Sequence, residues 1–244
     1  MRITRALMPL ALAGVVLAGC GGDGNRPSAT TTTKSPAPTD NGVSALAPNE
    51  IVQKSIAALE GAKSYQMKGD IYSDGQQMYL HFKVSGKDLI GVIASQGTKV
   101  ELLSVGGQNF VRPDEAFWKA NAGDAGATIA KLLGSRWAKL SATDKDFRTL
   151  FKIIEPSELL KPTGRLTKAT TKQVPGGTAI GVVQSGADGG TLWVATIGEP
   201  YPLFLEGSGG KGHITFTSFG GSFPDIALPA ASEVVDLDKL KSGS

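Results

Sequence analysis

Two stretches of the chain, residues 65–112 and 165–218, are written in a period of two. In the first, Met78, Leu80, Phe82 and Val84 alternate with Gln77, Tyr79, His81 and Lys83. Further runs at 88–95, 98–105 and 108–112 are separated by Gln96-Gly97 and Gly106-Gly107, and Asp74-Gly75 turns 65–73 back on the run that follows it. The second stretch has runs at 165–174, 178–184, 191–197, 201–206 and 213–218, punctuated by Pro175-Gly176-Gly177, Asp188-Gly189-Gly190, Gly198-Glu199-Pro200 and the glycine-rich residues 207–212. Alternation places successive side chains on opposite faces of a strand, and turns of this kind mark hairpins. Strands joined by such short loops pair antiparallel, because a parallel pair needs a crossover of roughly a dozen or more residues. A twisted sheet of about ten strands rarely stays open without curling. The predicted fold class is α+β, a strongly curved antiparallel half-barrel with helices over its concave face.

The helices come from the remaining segments. Residues 51–62 follow Asn49, a plausible cap, and carry Val52, Ile56 and Leu59 on one face. Residues 115–121 and 125–133 are short candidates with Phe117, Trp118, Ile129, Leu132 and Leu133. In 144–154, capped by Thr143, Phe147, Leu150, Phe151 and Ile154 fall at i, i+3, i+4 and i+7. These stripes need an apolar partner, which the concave face supplies: Met78, Leu80, Phe82, Val100, Leu102, Ile180, Val182, Leu192, Val194, Leu203, Leu205, Ile214 and Phe216. Together with Phe147, Leu150, Phe151 and Ile154 they are the candidate lining of a ligand cavity, with Trp118, Trp137 and Trp193 bordering its mouth or filling it. A lidded half-barrel with this lining either leaves room for acyl chains or packs solid.

Little else in the chain carries chemistry. Twenty-five Lys and Arg against 22 Asp and Glu give +3, which lacks the concentrated basicity of a nucleic-acid binder. One Cys excludes a disulfide framework and a cysteine-built metal site, and the two histidines, His81 and His213, sit on the polar phase of strands. Residues 207–212 match G-x-G-x-x-G, but strands flank them on both sides where phosphate binding needs a helix after, so a hairpin tip is expected. There is no G-x-S-x-G elbow, and the acidic pairs Asp144/Asp146 and Asp236/Asp238 suit a helix start and a solvated tail. The expectation is a non-enzyme with no cofactor and no metal.

The single cysteine, Cys20, has its own context. Arg2 and Arg5 precede the apolar run 6–18, too short for a membrane span of roughly 20 residues and suited to a secretory signal. The run ends in Leu17-Ala18-Gly19-Cys20, which resembles the lipobox of bacterial lipoproteins. That resemblance implies acylation of the Cys20 thiol and cleavage after Gly19. Loss of Arg2 and Arg5 leaves a nearly neutral mature chain. Residues 21–48 are Gly, Ser, Thr, Pro and Ala with a few charges, a composition that cannot offset its ordering entropy and reads as a tether reaching on the order of 30 Å. The expected organisation is a signal at 1–19, lipidated Cys20 with its tether at 20–48, and one half-barrel domain at 49–244.

The whole pattern resembles the actinobacterial lipoproteins of the LppX/LprAFG type, within the LolA/LolB-like superfamily. The resemblance rests on the lipobox, the Thr/Pro tether and the opening helix running into Ala62-Lys63-Ser64-Tyr65. It rests also on the two meanders around a helical insert, Trp137 at the start of a short segment, and Gly198-Glu199-Pro200-Tyr201-Pro202-Leu203. It implies a lipid-anchored monomer at the extracytoplasmic face of the plasma membrane. Such a protein would bind an acylated lipid or lipoglycan and carry it within the envelope, with an envelope transporter as a further partner. The alternative is a non-enzymatic envelope interaction or sensor module whose half-barrel is a packed core.

Overall fold

The structure is a computed structural model that describes residues 39–73, 75–141, 151, 155–186 and 189–236. Cys20, the signal, most of the tether, Phe147, Leu150 and Ile154 lie outside them. The first meander consists of β1 (Ser64–Ser73), β2 (Gln76–Ser85), β3 (Asp88–Ser95), β4 (Thr98–Val105) and β5 (Gln108–Pro113). The second consists of β9 (Gly177–Gln184), β10 (Gly190–Ala195), β11 (Pro202–Gly207) and β12 (His213–Thr217). They join where β1 pairs antiparallel with β12, Met67 opposite Phe216 and Gly69 opposite Ile214. Both halves therefore belong to one unclosed, curved sheet.

Among the described residues that sheet has 13 strands, more than the periodicity suggests, and is mixed rather than purely antiparallel. The added strands are short. β6 (Trp137–Lys139) extends the first meander beyond β5, and β13 (Val234–Asp236) runs parallel to it at the edge. The run predicted at 165–174 is two strands, β7 (Leu166–Lys168) and β8 (Lys172–Val174), both paired to β9. Lys168 faces Val182 and Lys172 faces Ala179, so the β7–β8 side has one residue too many and bulges between them.

Helix α1 (Pro48–Gly61) starts one residue before Asn49, with Pro48 in its first turn, where a missing N–H costs nothing. The N-cap is Ala47 and not Asn49, and Glu50 Oε2 accepts the Ala47 N–H at 2.9 Å. α1 contacts β7, β9, β10, β11 and β1, and turns Ile51, Val52, Ser55 and Leu59 inward. Helix α2 (Glu115–Asn121) is capped by Asp114, whose Oδ1 accepts the Phe117 N–H at 2.7 Å. It packs on β4 and on α3 (Gly126–Leu133); a short α4 (Pro156–Leu159) lies against α1. No helix among the described residues is long and apolar enough to cross a membrane.

Candidate functional site

Strand register lines the inner face in rows. Across the middle run Phe216, Met67, Phe82, Gly91, Leu102, Val111, Ala138 and Val235, each opposite the next. Gly91 has no side chain because Phe82 fills its place: a Cβ there would lie 2.6 Å from Phe82 Cγ. The next row runs Val182, Leu192, Leu205, Ile214, Gly69, Leu80, Ile93 and Val100. Met67, Leu80, Phe82, Leu102, Val111 and Val194 have no exposed surface, so side chains and helices fill the space above them. Tyr65 lies on the same face, where burial pushes its phenol pKa up and keeps it neutral.

Toward the hairpin tips at Gly75 and Ser208–Gly210 the interior loosens. Ile71, Met78 and Leu205 are half-buried there. Phe117, Trp118, Ile129, Phe151, Leu159 and Leu166 also pack on the core cluster without being sealed. The apolar interior is thus tight along its middle row and looser toward the hairpin tips.

Of the predicted lining, Leu80, Phe82, Val100, Leu102, Ile180, Val182, Leu192, Val194, Ile214 and Phe216 are buried in this one cluster, and Met78, Phe151 and Leu205 pack at its margin. Leu203 does not. Leu192 faces Leu205 and Trp193 faces Phe204, but Val194 faces Pro202, so Leu203 is the extra residue of a bulge. It joins Ala179, Trp193 and Ala195 on the outer face. The predicted lining omits Met67, Val111 and Ala138 in the middle row, and Ile51 and Leu59 of α1. The first three are legible in their strands' own period.

Two of the three tryptophans also lie outside. Trp193 lies over Gly181 with Lys172 Nζ 4.0 Å from its ring centre, and its indole N–H donates to Glu206 at 3.2 Å. Trp137 packs with Leu103 and Phe110 beneath the Arg112 guanidinium, 4.3 Å from its ring centre, and Arg112 pairs with Glu101. These cation–π contacts cover apolar rings that the convex face would otherwise expose. Beside Trp137 is an outer-face hollow of about 190 Å³, lined by His81, Lys83, Ile90, Val92, Glu101, Arg112 and Asp225. Asp225 reaches it from the segment after β12 and pairs with Lys83 at 2.6 Å. Among the described residues no group of three or more His, Cys, Asp and Glu is placed to hold a metal ion.

His81 lies 3.0 Å from the Gln66 side-chain nitrogen. Partial burial, then Lys68 and Lys83, hold its pKa below the ordinary imidazole value, with Asp225 acting the other way. The unfolded chain therefore binds this proton more readily, and stability falls as pH drops through and below about 6.5. Asp225, held low by its bond to Lys83, loses its own share at more acidic pH. Thermal midpoints should decline between about pH 7.5 and 5, and His81→Gln should flatten that decline. An unchanged slope in His81→Gln would refute the assignment.

No protein-family model matches the chain, and no curated protein matches it. Among solved structures it is similar to LprF from Mycobacterium bovis, with a TM-score of 0.50 at 12% identity over 75% of this chain and 97% of that one. The Mycobacterium tuberculosis lipoprotein LppX gives a TM-score of 0.43 at 15% identity, over 73% and 94%. An uncharacterized conserved protein from Thermus thermophilus gives 0.39 at 10%, over 77% and 98%. The likeness to LprF spans nearly all of that protein and shows a shared fold.

Proposed function

We propose, on the premise of an LprF-type fold, that this protein is a membrane-anchored lipoprotein. It binds an acylated lipid or lipoglycan in its apolar interior and carries it within the cell envelope. The observation that carries the reading is the gradient inside the half-barrel, from the sealed middle row to half-buried Ile71, Met78 and Leu205 near the hairpin tips, with Phe151 half-buried at the margin of the same cluster. Acyl chains entering there would replace water against apolar side chains, each methylene contributing roughly 0.8 kcal/mol. Cys20 holds the protein to the outer face of the plasma membrane through its own acyl groups, and the tether lets the domain stand off the surface. The protein acts as a monomer, without catalysis, and hands its cargo to an envelope transporter.

A second reading has its own support. The complete burial of Leu80, Phe82 and Leu102 favours a solid core whose outer surface binds a protein. The full chain, stripped of lipid, exposed to envelope lipid extract and examined by native mass spectrometry, separates the two. Retention of acylated species is expected, and their complete absence would leave the packed module. Phe151→Asp should lower lipid occupancy severalfold with little change in thermal midpoint, because Phe151 is only half-buried. In a solid core the same change would cost several kcal/mol through a buried unpaired charge. Cys20→Ala should move the protein from the membrane to the soluble fraction, and unchanged fractionation would refute lipid anchoring.

A further inference from the structure

Among the described residues, the buried serine and threonine side chains are Ser55, Ser64 and Thr196. Two of them are accounted for. Ser64 Oγ donates to the Gly221 carbonyl at 2.7 Å, and Thr196 Oγ1 donates to the Thr178 carbonyl at 3.2 Å. Ser55 is fully buried on the inward face of α1 with Ile51, Val52 and Leu59, and its hydroxyl has no partner. Serine on a helix commonly bonds the carbonyl four residues back, and here it does not. A second orphan is the indole N–H of Trp118 on α2, also buried, in a side chain that packs on the same apolar cluster. Unsatisfied polar atoms in such surroundings cost stability, and alanine at position 55 would be both the better helix former and the better match to its neighbours.

The chemistry of the missing partners follows from the donors. An indole N–H only donates, and a hydroxyl is satisfied by donating, so each can donate to an oxygen that is an acceptor alone. None of the buried side chains among the described residues is charged, so an ionised carboxylate or phosphate would find no buried counter-charge among them. A neutral ester carbonyl at the head of an acyl chain meets both conditions. Resting on the carrier reading above, we propose that Ser55 Oγ and Trp118 Nε1 are the hydrogen-bond donors that hold the ester carbonyls of a bound acyl lipid. The interior thereby selects esterified over free fatty acids.

The test uses the full chain with dioleoylglycerol carrying ¹³C at its ester carbonyls, followed by isotope-edited infrared spectroscopy, with ¹³C-oleic acid as the comparison. Bound diester should show carbonyl bands shifted to lower frequency. Ser55→Ala and Trp118→Phe should each return part of that intensity to the unbonded position and weaken binding about three- to tenfold. Unliganded Ser55→Ala should melt at or above the wild-type midpoint, the opposite of what loss of a structural hydrogen bond would give. Diester that binds with bands unaffected by either variant would overturn the donor assignment alone. Oleic acid bound as tightly as the diester would overturn the ester preference. A wild-type chain that takes up neither probe would overturn the proposal, and if it also retains nothing from the envelope extract, the carrier reading falls with it.

Discussion

Gly69→Val should cost on the order of 4 kcal/mol or more and lower the thermal midpoint by about 8–16 °C, with loss of soluble protein at the upper end. Glycine within a strand is ordinarily a weakness that a β-branched residue relieves. Position 69 reverses the rule. A Cβ there would run into the His213 carbonyl oxygen and lie 2.8 Å from Ile214 Cα, which is the backbone of β12 and not the yielding end of a side chain. The strands that join the two meanders approach so closely that only a residue without a side chain fits. Gly97→Ala is the control: its φ of +78 imposes local strain, but nothing lies within 4 Å of the added carbon. Its cost should be about 1–2 kcal/mol. Denaturant titration of both variants decides, and a Gly69→Val midpoint no lower than that of Gly97→Ala would refute the account of the seam.

Phe82→Ala should cost about 3–5 kcal/mol, the range for losing a buried aromatic ring. The upper part is expected because the void has no neighbour to collapse into it. Gly91 is the next residue in the row and contributes no side chain, while Met67 and Leu102 on either side are themselves fully buried. An apolar hole of this kind stays dry and admits small apolar solutes. Saturating benzene should therefore raise the midpoint of Phe82→Ala and leave that of the wild type where it is. A loss below about 1.5 kcal/mol would mean that the middle row is loosely filled, contrary to its burial.

The hairpins were legible because glycine-bearing turns and alternating side chains are local signals, and β3 and β4 fall on the predicted residues. What escaped is non-local. β13 is three residues in a polar tail, and only its parallel pairing with β6 makes it a strand. Leu203 follows the alternation of β11 in sequence, yet one extra residue opposite Trp193 turns it to the other face, and nothing local marks that slip. Trp137 and Trp193 read as cavity aromatics until Arg112 and Lys172 are seen to cover them from outside. Of the candidate site, the apolar phase of most strands was readable, whereas Ser55 was invisible: a lone serine in a helical stripe carries no sign that its hydroxyl will find no partner.

The joint between β1 and β12 also orders events in time. Every other pairing within the two meanders links strands that follow one another along the chain, so each half can assemble from short loops without waiting for the other. Pairing residues 66–70 with 213–217 closes a loop that contains most of the folded chain, and such contacts form slowly. Until that closure, β1 and β12 are both bare edges, each able to pair with the same strand of another molecule. The interval between the two events is when a newly made chain is most exposed to aggregation, and the tight fit at Gly69 lies at its final step.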